Sequence, residues 1–216
     1  MDDSPVREHP LAQPTVGDTW RVDPTDHLKA SLDAAVALAN SFGAEFRQGR
    51  PRGAGDAAAV VDALRLTTNR PPSIDDEALG EFASGGGRIY QALAQLTDGD
   101  TDAAARAVNE LLSSTRAAPQ LVRHQDSPWH LHFAGPEVSV AVGWLAEFAT
   151  AAAMLLGSDD QERLRRCDAE RCDNLFLDST RNHTQRFCST ACQNRTKVAA
   201  FRSRGTEARR SLSPEA

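Results

Sequence analysis

Lysine is nearly absent from this chain of 216 residues, since arginine supplies 22 of its 24 basic side chains. Together with abundant alanine, that usage resembles the output of a GC-rich bacterial genome. Aromatic residues make up only 6% of the chain, with a single tyrosine. There is no phosphate-cradling glycine loop, no dinucleotide-binding fingerprint and no internal repeat. No constellation of acid, base and nucleophile suggests an enzyme.

A secretory signal is also missing. The start, MDDSPVREHP, carries acids where such a signal has a basic region, and no apolar run follows it. A cytoplasmic location is therefore expected. The most apolar window, Val140 to Gly157, approaches the roughly 18 residues of a membrane span. It is interrupted by Glu147 and dominated by alanine, which predicts a buried helix and no membrane partner.

What is present is unevenly spread. At 40% hydrophobic, the chain can build one sizeable core plus a small module. Residues 1–160 hold 12 Lys+Arg against 23 Asp+Glu, whereas 161–216 hold 12 against 7. The body is acidic and the C-terminal part basic, the pattern of a chain whose tail meets a polyanion. A solvated basic helix, or arginines that cover the acidic body, are the alternatives.

Residues 1–25 hold four of the eleven prolines and no sustained period, which reads as a loosely ordered arm. From Asp26, helical spacing of Leu28, Leu32, Ala35, Val36 and Ala39 begins, with Thr25 or Asp26 as N-cap. The stretch 49–55, GRPRGAG, reads as a breaker. Further helices are predicted from DAAAVVDALRLTTN, from Ser73 onward with Gly85 to Gly87 weakening it, and from DTDAAARAVNELLSSTRA. Between 127 and 142 the alternation of His130, His132 and then Val138, Val140, Val142 predicts two strands around AGPE. There His130 and His132 share a face, a pattern open to a metal pair or to ordinary surface histidines.

All four cysteines fall within 26 residues, as C-x4-C-x15-C-x3-C at Cys167, Cys172, Cys188 and Cys192. Two close pairs at this separation let two short loops present four thiolates to one tetrahedral zinc. So small a unit cannot bury enough apolar surface to hold itself together, and a metal supplies the missing stability. Two disulfides, an iron-sulfur cluster, or a zinc site that releases its metal on oxidation are the alternatives. His183, between the pairs, is a substitute ligand. Four thiolates leave no open position, so one structural Zn2+ is expected rather than a catalytic one.

Around the ligands, Leu175, Leu177 and Phe187 flank a polar centre that reads as a hairpin turning near 181–185. Ser189 then caps a helix predicted to end at Gly205. The order knuckle, hairpin, helix is treble-clef-like. On the helical wheel Asn194, Val198 and Phe201 cluster as a face expected to pack inward. Lys197 and Arg204 flank it with Gln193 on one side, and Arg195 and Arg202 on the other. With Arg181 and Arg186, these side chains suit phosphate and base-edge contact.

The segment RLRRCDAERCDNLFLDSTRNHTQRFCSTACQNRTKVAAFRSR resembles the zinc finger of the bacterial CGNR family. The matching positions are Arg166, Cys167, Cys172, Phe176, Asp178, Ser179, Cys188, Cys192, Asn194, Arg195 and Lys197. Upstream, ALANSFG (37–43) and AVNELL (107–112) resemble motifs of the ABATE domain of stress-induced transcription regulators. The resemblance implies a DNA-binding regulator with the four cysteines on zinc. Three positions depart from it: Gln193 replaces the signature glycine, Phe187 the usual tryptophan, and Ala37 the usual aspartate.

The expected architecture is mainly α with a short β-hairpin. It comprises an arm at 1–25, a helical ABATE-like domain at 26–157, a CGNR-type finger at 160–205 and a flexible tail at 206–216. The expected function is a non-enzymatic, zinc-dependent, DNA-binding transcription regulator whose helical domain dimerises or senses a small-molecule effector. A protein-interaction module and a thiol-based redox sensor are the alternatives. The DNA-contact candidates are Arg181, Arg186, Gln193, Asn194, Arg195, Lys197, Arg202 and Arg204.

Overall fold

Six α-helices and three two-stranded hairpins are formed by the described residues. The structure, a computed structural model, describes residues 24–123 and 129–211, with side chains described over 28–123 and 129–204. The arm up to residue 23 and the tail beyond 211 lie outside the described residues.

Helix α1 (Pro24–Gly43) starts at its proline, whose missing N–H has no intrahelical role at that position. Thr25 and Asp26 therefore lie inside the helix, not at its cap. Strands β1 (Phe46–Arg47) and β2 (Arg50–Pro51) follow as a minimal hairpin, where the sequence suggested only a breaker. Gln48 and Gly49 both take positive φ at its turn, as a tight two-residue hairpin loop requires.

Three helices then begin with an aspartate cap. Asp56 starts α2 (Ala57–Leu64), Asp75 starts α3 (Asp76–Thr97) and Asp100 starts α4 (Thr101–Ser114), each accepting the N–H three residues on. Helix α5 (Val140–Leu156) is capped in the same way by Ser139. That cap overturns the expected strand at 138–142. Strand β4 (His130–His132) pairs instead with β3 (Gln120–Val122), in the register His132 opposite Gln120 and His130 opposite Val122.

The core is a helical layer in which α3 packs against α1, α4 and α5. Leu38, Leu64, Phe82, Ile89, Leu93, Leu111 and Phe148 are among its large, fully buried members. Helix α5 is buried along most of its length, and no helix among the described residues is long and apolar enough to cross a membrane. Its Glu147 is buried and accepts a hydrogen bond from the Ser31 hydroxyl of α1. The glycines that weaken α3 in isolation are what lets it pack: a Cβ on Gly85 would stand 2.4 Å from a Leu145 methyl.

After a 3-10 turn (Asp159–Arg163), β5 (Leu164–Arg166) pairs with β6 (Leu175–Leu177). The expected hairpin between Leu175 and Phe187 is thus replaced by one that spans the first cysteine pair. Leu164 and Leu175 join the helical core, so one apolar cluster runs from the helices into the base of the cysteine module. Helix α6 (Thr190–Ser211) continues through Gly205, past its expected end and into the segment read as a flexible tail.

Gly43 decides how α1 meets α3. A Cβ there would lie 2.2 Å from Cβ and Cγ of Tyr90, atoms that cannot swing away without moving the helix. Gly43→Ala should therefore cost about 1–3 kcal/mol, the usual penalty of overpacking. At roughly 2–4 °C per kcal/mol for a chain of this size, thermal unfolding should show a clear fall in Tm, and an unchanged Tm would refute this packing account.

Candidate metal centre and basic face

The four cysteines come together from two loops. Cys167 and Cys172 lie in the knuckle between β5 and β6, Cys188 precedes α6, and Cys192 sits in the first turn of α6. Their ligand atoms all lie within 4.8 Å of one another. The Sγ atoms of Cys172, Cys188 and Cys192 form a triangle with edges of 3.8, 3.8 and 3.7 Å. Thiolates about 2.3 Å from a tetrahedral zinc stand about 3.8 Å apart. A disulfide would bring two sulfurs to about 2.05 Å, so the spacing is that of a shared ion. Three of the four cysteines are buried and Cys188 is half-buried.

Ionising these cysteines together calls for a cation. Burial pushes the Cys167 thiol up, and burial together with the neighbouring Cys167 and Cys172 thiolates pushes Cys188 up strongly. At Cys172 burial acts upward too, but hydrogen bonds from the backbone of Gln48 and Asn174 and from neighbouring thiols outweigh it and lower the pKa. Four such groups cannot all ionise side by side without a positive charge among them. The residues fit one structural zinc, which when bound supplies that charge and cross-links the two loops.

Supporting contacts fix the ligands. The Cys188 N–H donates to Cys167 Sγ at 3.4 Å, and the Asn174 amide approaches Cys188 Sγ at 3.9 Å. Ser189 Oγ accepts the Cys192 N–H at 3.3 Å and so caps α6. Asp178, at 1% exposure, accepts from Thr180 N at 2.8 Å, Thr180 Oγ1 at 2.5 Å and Gln185 N at 2.9 Å, with Arg165 Nε at 3.6 Å. Burial works against its charge, yet these hydrogen bonds and Arg165 prevail and hold its carboxyl below the usual range. Asp178 thereby closes the 178–185 loop. His183 stays outside the ligand group, with its carbonyl bonded to Arg165.

The helical domain reaches directly into this centre. Asn40 of α1 donates its amide to Leu175 O and accepts from Leu175 N, both at 2.8 Å. Phe46 N donates to Asp173 Oδ2 at 2.8 Å, Asp173 N to Phe46 O at 3.0 Å, and Gly49 N to Arg171 O at 2.9 Å. Tyr90 OH donates to Asp173 O at 2.8 Å. The Arg171 guanidinium lies 4.6 Å over the Phe46 ring. Sequence reading gave Asn40 and the 46–52 hairpin no role. The signals available were the place of Asn40 within the ALANSFG stretch and the turn-forming Gln48-Gly49 pair.

The basic candidates separate into groups. Arg181, Gln193, Asn194, Lys197, Arg202 and Arg204 are exposed. Arg186 is exposed but salt-bridged to Asp168 at 2.8 Å. Arg195 is half-buried, and its Nη2 donates to the Glu170 carbonyl in the knuckle. The expected inward face of α6 does not pack: Asn194 is exposed, Val198 is 49% exposed and Phe201 72%. The helix leaves the body after Thr196, so nothing among the described residues is there to cover it. Gln193 has room in place of the expected glycine and lines a cleft of about 310 Å³ with Arg186, Phe187 and Ser189. His130 and His132 bring their Nε2 atoms to 3.1 Å, but among the described residues only the cysteines form a group of three or more metal-ligating side chains.

Residues 163–205 match the family model of the CGNR zinc finger. Residues 32–159 match the ABATE model, described as "Putative stress-induced transcription regulator". No curated protein matches the chain.

Purified protein should carry one zinc per chain by elemental mass spectrometry, and cobalt in its place should show the absorption bands of a tetrahedral thiolate site. Cys172→Ser should abolish both signals. Asn174→Ala, which removes a supporting contact to Cys188 and the partner of Arg52 but no ligand, should weaken zinc about 10–100-fold in a chelator competition.

Proposed function

This chain belongs to the ABATE family of transcription regulators and carries a CGNR zinc finger, and on that premise we propose that it is a zinc-dependent DNA-binding regulator acting in the cytoplasm, without catalytic activity. The observation that carries this reading is α6. Two metal ligands fix its start, and all its side chains from Lys197 to Arg204 are exposed. At 1.5 Å per residue, its 22 residues extend about 33 Å, enough to lie along a DNA groove.

The roles divide by position. Lys197 and Arg204, which make no ion pair among the described residues, contact phosphates, and so does Arg181. Gln193 and Asn194, exposed at the start of the helix, face base edges. Arg202 joins them along the exposed helix. Arg195, tied to Glu170, sets the angle between α6 and the knuckle. Bound zinc makes this arrangement rigid, so that binding does not have to order it.

For the helical domain, dimerisation is favoured over effector sensing by the outer face of the β3–β4 hairpin. Leu121 and Leu131 are cross-strand partners there and both are exposed, as is Trp129. Light scattering should give twice the chain mass, and Leu121→Asp should return it to one. The exposed Val198 and Phe201 support a second reading, in which α6 contacts a protein.

Fluorescence anisotropy with duplex DNA separates the two. Wild-type protein should bind with an affinity that falls steeply with salt, and Lys197→Ala and Arg204→Ala should each reduce the slope of log K against log salt by about 0.9 while zinc is retained. Absence of salt-dependent binding by the zinc-loaded wild type would sink the DNA reading.

A further inference from the structure

Around the base of the finger, arginines are matched by acids. Arg163 meets Asp160 at 2.6 Å, Arg165 meets Asp178 at 3.6 Å, Arg166 meets Asp98 at 3.1 Å and Arg186 meets Asp168 at 2.8 Å. One place breaks the pattern. Between the β1–β2 hairpin and the first turns of α6 runs a groove of about 500 Å³, lined by Arg47, Arg50 and Arg52 on one wall and Arg195 on the other. None of the four forms an ion pair with a described carboxylate.

The arrangement is costly as it stands. Arg47 and Arg50 are Cα partners across the hairpin, and like charges directly opposite each other destabilise a strand pair. Arg52 is held by Asn174 Oδ1 at 3.2 Å and Arg195 by the Glu170 carbonyl, and each leaves a buried Nε without a partner. Burial and the neighbouring Arg47 both depress the Arg52 pKa, while the Cys172 and Cys188 thiolates partly restore it. The knuckle, through Asn174, accounts for Arg52. It does not account for Arg47 and Arg50, which are exposed.

We propose that the β1–β2 hairpin of the helical domain is the second half of the DNA interface, and that its groove seats the phosphodiester backbone beside the site where α6 enters. This rests on the DNA-binding reading of α6 and adds to it a contribution from the domain whose overall charge is acidic. A duplex backbone fits because the groove is open, is lined by four arginines and runs against α6 itself. The finger then reads the duplex from one fixed side, because the hairpin that grips the backbone is bonded to the knuckle.

The test uses full-length, zinc-loaded protein and anisotropy across about 50–200 mM salt. Arg47→Ala/Arg50→Ala should reduce the salt slope by about 1.8, two phosphate contacts at about 0.9 each, with zinc content unchanged and Tm not lowered. Arg47→Lys/Arg50→Lys should retain most of the slope, and Arg47→Glu/Arg50→Glu should remove measurable binding. An unchanged slope in the alanine variant, while Lys197→Ala does lower it, would overturn the hairpin's role and leave the α6 reading standing. No binding by wild type would overturn both. A nucleoside triphosphate titrated in parallel identifies the other phosphate source. If the alanine variant loses the nucleotide but keeps its DNA slope, the groove holds a small polyphosphate and the proposal fails.

Discussion

A buried amide anchors the two parts of this molecule to each other. Asn40 lies buried in α1 and bonds both the N–H and the C=O of Leu175, standing in for the neighbouring strand that β6 lacks on that side. Without it, two buried backbone groups would lose their partners, at about 1–3 kcal/mol each. Leu175 is two residues from Asp173, which Phe46 and Tyr90 hold, and three from the ligand Cys172. The position of the metal loop, and through Cys192 the direction of α6, follows from this bond and its neighbours. The finger is not a bead on a linker: its strands enter the same apolar cluster as the helices.

Charge is organised by the same geometry. A chain with net charge -6 keeps its acids away from one surface. Acids neutralise the arginines that hold the finger's base together, whereas α6 and the neighbouring hairpin keep theirs unmatched among the described residues, Arg202 apart. Summing charge over a segment conceals this distinction. The acidic sum over residues 1–160 includes Arg47, Arg50 and Arg52, which lie beside the most basic helix of the molecule.

The sequence was most legible where a local rule acts alone. Helix starts read at Asp56, Ser73 and Asp100 located α2, α3 and α4 within a few residues, and cysteine spacing indicated the metal centre because four thiolates in 26 residues have few other uses. It was least legible where the partner is distant. Alternating valines suggested a strand at 138–142, yet Ser139 capped a helix, and His130 to His132 paired with a segment ten residues upstream. The triplet Gly85 to Gly87 lowers helix propensity, and only the closeness of Leu145 explains why it is there. The α6 wheel showed an apolar stripe correctly, but a wheel cannot reveal that the body ends before anything covers it.

The Asn40 bond spans 135 residues of sequence, which has a consequence for how the protein is made. A ribosome adding about 5–20 residues per second needs on the order of ten seconds to travel from Asn40 to Leu175. During that interval α1 has emerged, but the strand it must hold has not yet been synthesised. The apolar faces of α1 and α3 therefore wait, incompletely covered, for the last quarter of the chain. The core is completed only when Leu164 and Leu175 join it, so its closure coincides with synthesis of the segment that captures the metal.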